Sequence, residues 1–222
     1  EHKMAFDNFI RLGPMEIVPD RPFTDPQHSQ TDLAMLGYMF TRLMEVVHTQ
    51  LHHFTAERHQ VIHADEADGR QHRIIIKDNQ ALLTARELAV VGFCGQWRPE
   101  LHPRLLQEME TVDRELVMEM VTQPHLLSYS SLELADGNWT NLVLMRSMEG
   151  IAHWRASQRH AAAASDLSPQ YYRSIRLHNA VLTYAPRLTL LRTKYYDFRD
   201  AQPWMAIREL SLSSDSQPGL LR

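Results

Sequence analysis

The chain has 222 residues, of which 44% are hydrophobic, with 23 Lys and Arg against 27 Asp and Glu and a formal net charge of −4. That composition suits one large or two small folded domains and argues against disorder along the whole chain. The slight acidic balance gives no electrostatic reason to expect nucleic acid or an anionic membrane as partner. Cys94 is the single cysteine, so an intrachain disulfide and a thiol-rich zinc site are both excluded. No apolar run is long enough for a membrane span, and no secretory leader is seen. A cytoplasmic setting is the expectation.

Residues 1–30 contain Pro14, Pro19, Pro22 and Pro26, which disfavours helix. Short extended pieces are expected around Phe9–Leu12 and Met15–Val18. Residues 31–56 read as one helix. Leu33, Leu36, Phe40, Leu43, Val47, Leu51 and Phe54 recur at three or four residues and make one stripe; Ser29 or Thr31 would cap it. Gln60–His63 and His72–Ile76 flank Ala67-Asp68-Gly69, a hairpin signal.

Residues 86–97 read as a buried strand. Pro103 suits the first turn of a helix over 104–122, whose stripe runs from Leu105 to Met120. Leu126–Leu134 and Trp139–Ser147 are extended runs joined by Asp136-Gly137, a second hairpin. Ser147 caps a helix through Trp154 and Ala161–Ala164. Ser168-Pro169 then predicts a further helix to Tyr184, and Leu188–Phe198 a last strand. The segment 201–222 reads as a C-terminal tail.

The order over 86–198 is β, α, β, β, α, β, which is ferredoxin-like. The predicted fold is therefore α+β: a ferredoxin-like βαββαβ domain at 85–200, preceded by an α+β extension at 1–84 that is open to reading as a partial repeat. Two helices cover one face of such a sheet. The other face needs either a second copy or the N-terminal part of the chain.

The strand Asn138-Trp139-Thr140-Asn141-Leu142-Val143-Leu144-Met145 and the helix Ala152-His153-Trp154-Arg155-Ala156-Ser157, with His160 three residues on, resemble the antibiotic biosynthesis monooxygenase-like group of dimeric α+β barrel proteins. The resemblance covers about half the chain. It implies a homodimer whose two sheets close a barrel, and a small-molecule ligand. Members include cofactor-independent quinone-forming monooxygenases and haem-degrading enzymes. The group's haem-ligating position falls near Ala164 here, which leaves His153, His160 or His178 as substitutes.

The residues suggest a pocket between sheet and helix. In it His160 is a neutral base, Trp154 and Tyr171 hold a flat substrate, and Asn141 stabilises charge on oxygen. Arg146 or Arg192 would bind a carboxylate or phenolate. Each has a plainer role open to it: core packing for Trp154, a surface or capping place for His160, a backbone-satisfied strand position for Asn141. Glu45, His48 and His52 share a helix face but read as its polar side, so no metal is assigned, and Cys94 reads as a packing residue. The leading function is an oxygenase-type reaction on an aromatic or polyketide-like molecule without a tightly bound cofactor. The alternatives are a haem protein of the same fold and a non-catalytic dimeric binding module.

Overall fold

The computed structural model describes residues 9–49, 59–183, 187–200 and 202–210. The predicted helix positions 50–56, with Leu51, His52 and Phe54, and the tail from residue 211 lie outside them.

In chain order the strands are β1 (Ile10–Arg11), β2 (Gln60–Asp65), β3 (Gln71–Ile76), β4 (Glu87–Trp97), β5 (Leu126–Glu133), β6 (Trp139–Met145), β7 (Tyr172–Thr183), β8 (Arg187–Asp197) and β9 (Trp204–Glu209). The α-helices are α1 (Pro26–Thr49), α2 (Asn79–Thr84), α3 (Pro103–Met120), α4 (Met148–Arg155), α5 (Gln158–Ala162) and α6 (Ser168–Tyr171). Among the described residues all nine strands form one sheet in the order β1-β9-β8-β7-β4-β6-β5-β3-β2. Its middle, β7-β4-β6-β5, is the ferredoxin-like unit: β4, α3, β5, β6, α4–α6 and β7 in sequence, with every neighbouring pair antiparallel. Both predicted hairpins are present, turning at Gly69 and Gly137, whose φ values of 84° and 79° favour glycine.

Two expectations are corrected. The helix predicted from Ser168 to Tyr184 stops at Tyr171, and Tyr172–Thr183 is β7, the fourth strand of the unit. Leu188–Phe198 does hold a strand, β8, but it is an addition beside β7. Inward-facing Arg176 and His178 break the apolar alternation by which β7 would have been recognised. The predicted tail likewise contains β9, where Ala206 and Arg208 are buried against β8 and the N-terminal loop. The N-terminal segment adds β2 and β3 to this same sheet.

The second sheet face is covered from within the chain. Leu36, Met39, Leu43 and Val47 of α1 are fully buried against Ile74, Val90, Leu142, Leu144 and Ala180. Each such side chain is worth about 2 kcal/mol relative to exposure. Asp32 of α1 adds a paired contact to Arg176 at 2.6 and 2.9 Å. On the opposite face, α3 and α4 pack Met120, Ile151 and Trp154 on Ile75, Tyr129, Val143 and Met145. No described helix is long and apolar enough to cross a membrane.

Candidate functional site

On the α3 face the strand register places four side chains in one row: Arg73 opposite Ser131, Ser131 opposite Asn141, and Asn141 opposite Phe93. Here α3 stands away from the sheet, and a cavity of about 720 Å³ opens. Trp97, Trp139, Tyr171 and Tyr172 supply aromatic walls, with Met109, Glu110 and Asp113 from α3 and His63 at the strand edge. Gly95 is what lets the Tyr172 ring lie down on β4, because a Cβ there would meet its Cε1 at 2.4 Å. The Tyr172 ring then packs edge-on against Phe93 at 5.3 Å and against Tyr171 at 4.9 Å.

The polar groups of this wall are partly unfilled. Asn141 Oδ1 is buried and has no hydrogen-bond donor. Arg73 gives two bonds to Asp113, at 2.8 and 3.2 Å, and lies 5.5 Å from the Tyr129 ring centre. Its Nε is also buried and unpartnered. Buried polar atoms without partners are uncommon, and here an acceptor and a donor sit in one row, flanking Ser131. Burial pushes the Tyr129 and Tyr171 hydroxyls up to about 12, aided by the Asp113 carboxylate, and pushes Tyr172 up as well. The tyrosines are therefore neutral donors at pH 7. Burial works against the charge on Arg73, but the Asp113 hydrogen bonds outweigh it.

The structure divides the residues singled out in the sequence. Asn141 and Tyr171 line the cavity; Trp154 and His160 do not. Trp154 is buried in the core beneath α4, and the His160 ring lies 5.1 Å from it. The His160 backbone N–H donates to Ser157, whose hydroxyl donates to Glu119. Burial, with Arg155 nearby, lowers the His160 pKa, which favours the neutral ring, but His160 is not among the residues that line the cavity with Asn141. Arg146 is paired with Asp78 at 2.7 Å on a half-exposed edge. Arg192 donates to Asn179 at 2.8 Å. Both ring nitrogens of His178 are engaged, with Asp32 at 2.8 Å and Thr193 at 2.9 Å, and the ring is fully buried. His48 is exposed.

Sequence reasoning missed Arg73, Ser131, Trp97 and Tyr172. A charged residue inside the run His72-Arg73-Ile74-Ile75-Ile76 was the available signal for Arg73. Tyr172 was hidden by the helix assigned across it.

No family model matches the chain, and no curated protein matches it. Among solved structures it is similar to Rv0793 from Mycobacterium tuberculosis, at 16% identity over 44% of this chain and 93% of that one, with a TM-score of 0.34. It is also similar to SnoaB, a cofactor-independent oxygenase from Streptomyces nogalater, at 14% identity over 46% of this chain and 97% of that one, with a TM-score of 0.35. These likenesses span about half of the chain.

Proposed function

We propose that the cavity between α3 and the sheet takes a small, flat aromatic or polyketide-like molecule, and that the chain carries out an oxygenase-type reaction on it without a tightly bound cofactor. The observation that carries this reading is the pair of unfilled polar atoms, Asn141 Oδ1 and Arg73 Nε, in a wall otherwise built of aromatic rings. A hydroxyl of the substrate would donate to Asn141, and a carbonyl or phenolate oxygen would accept from Arg73. Deprotonating such a substrate raises the electron density that reaction with dioxygen needs. The Arg73 guanidinium would stabilise the resulting anion in a site of low dielectric. His63 and Glu110 are the lining groups suited to take the proton. His160, the base expected from the sequence, would act only through a rearrangement of α5, so it is not assigned that role.

The homodimer implied by the resemblance would need a surface other than the sheet face, because α1 covers that face. We infer that the cavity is complete within one chain.

Titration with hydroxylated naphthols and anthrones, followed by tryptophan fluorescence and by an oxygen electrode, tests the reading. Binding should quench Trp97 and Trp139 emission, and oxygen uptake should accompany it. Asn141→Ala should lower turnover by about two orders of magnitude. Binding without oxygen uptake would leave a non-catalytic module. Unchanged binding and turnover in both Asn141→Ala and Arg73→Gln would place the site elsewhere.

A further inference from the structure

The face of the sheet beneath α1 holds a second polar cluster, separate from the cavity. Asp32 of α1, Cys94 of β4 and His178 of β7 present a carboxylate oxygen, a thiol sulfur and an imidazole nitrogen, all within 4.8 Å of one another. All three residues are buried. The strand register is what gathers them. Cys94 lies opposite Arg176, and His178 lies two residues further along β7 on the same face. Asp32 comes down onto them from the helix, with an oxygen 2.8 Å from His178 Nε2.

We propose that Asp32, Cys94 and His178 form a divalent metal site, suited to zinc, that locks α1 onto the sheet. Thiolate, imidazole and carboxylate together match zinc's ligand preferences, with a fourth position left for water. Each ligand also has an outer partner of the kind that orients metal ligands. Arg176 holds the Asp32 carboxylate at 2.6 and 2.9 Å. Thr193 Oγ1 lies 2.9 Å from His178 Nδ1, and Thr140 Oγ1 lies 3.2 Å from Cys94 Sγ. An ion pair between Asp32 and Arg176 alone would seat the helix. It would not account for the chain's one cysteine and a buried histidine converging on the same carboxylate.

Proton balance is simple. Binding releases the Cys94 proton to solvent. In a neutral His178 the proton moves from Nε2, which takes the metal, to Nδ1, where Thr193 Oγ1 accepts its hydrogen bond. The thiolate and carboxylate charges balance the dication, and the Arg176 guanidinium, still on Asp32, leaves one net positive charge, which the fourth-position water cancels by losing a proton to solvent. Because α1 supplies one ligand and the sheet two, metal affinity is also free energy of helix docking. The site lies on the sheet face opposite the cavity, so its role is structural.

The test uses the full chain, stripped with a chelator and titrated with cobalt(II) and then zinc(II). One equivalent of cobalt should bind and give a thiolate-to-cobalt charge-transfer band in the near ultraviolet, which zinc should abolish. Zinc should raise the melting temperature. Cys94→Ala should fold, as judged by circular dichroism of the metal-free protein, and should lose both the band and the zinc-dependent shift. Thr193→Val, which leaves the three ligands in place, should weaken binding by roughly 10-fold or more. Cobalt binding without a charge-transfer band would overturn the proposal. So would zinc affinity and a melting shift that survive in Cys94→Ala, since they would place the ion on surface histidines.

Discussion

Leaving Asn141 Oδ1 buried without a donor costs the folded chain roughly 1–3 kcal/mol, a cost that a bound hydroxyl would remove. Asn141→Ala is therefore expected to leave the urea midpoint unchanged or raise stability by up to about 1 kcal/mol, even as ligand binding weakens. A loss above about 2 kcal/mol would instead mark the side chain as part of the packing. Gly95→Ala should act in the opposite way. Its Cβ would meet rigid ring atoms of Tyr172 at 2.4 and 2.6 Å and of Phe93 at 2.9 Å, so a destabilisation of about 1–3 kcal/mol is expected, with a changed near-ultraviolet circular dichroism spectrum. Two histidines govern the acid limb. Burial lowers the pKa of His160, and it lowers that of His72 despite the opposing Glu66 carboxylate. A group with a depressed folded-state pKa contributes stability that is complete above its unfolded value of about 6.5 and is lost as pH falls through the folded value. Urea midpoints should therefore fall between pH 7 and pH 5, and less steeply in His160→Gln than in the parent. Equal slopes would show that His160 takes up its proton freely in the fold.

At the level of elements, the seating of α1 rests on one small residue of the sheet. A Cβ on Gly92 would stand 2.3 Å from Leu36 Cδ1 and 3.2 Å from Cδ2, and Leu36 is fully buried with no room to retreat. Gly92→Ala should cost about 1–3 kcal/mol, read as a lower melting temperature and faster amide exchange in α1. The stripe that fills this contact was plain in the sequence, since Leu36, Leu43 and Val47 recur at helical spacing. So were both hairpins, because an Asp-Gly pair between two extended runs leaves few alternatives. The strand β7 was not legible. Its inward side carries Ser174, Arg176 and His178, and the last two find their partner in Asp32 of α1, 144 and 146 residues away. A period-two pattern with charges on the core side is not recognisable until that partner is known. The cavity was half legible for a similar reason. Asn141 and Tyr171 could be named from their strand and helix contexts. Arg73 joins them through a register linking β3, β5 and β6, which no local spacing records. The Trp154–His160 spacing placed those two side by side, but on the core and helix side, away from the cavity.

For the molecule as a whole, a ferredoxin-like unit with helices on one face must cover its other face, and α1 does so from the same chain. Replacing Leu36 and Leu43 together by Asp should unseat the helix and expose Val90, Leu142, Leu144 and Leu182. The expected outcome in light scattering is a rise in mass above that of the parent, through pairing or aggregation by the bared face. An unchanged mass with intact circular dichroism would mean that something other than α1 protects the sheet. The order of the strands carries a further consequence, one of timing. Strand β1 pairs with β9, joining Ile10 to Ala206 and Arg11 to Ile207, and Asp32 waits for Arg176 and His178. During synthesis the apolar stripe of α1 leaves the ribosome well before most of the strands it covers. The unit from β4 to β7 can assemble from contacts close in the chain, whereas the helix and the β1–β9 seam close the longest loops in the fold. Helix α1, made before most of the strands it covers, is thus among the last elements to find its place, and a chaperone that shields it in the interval would raise the yield of folded chain.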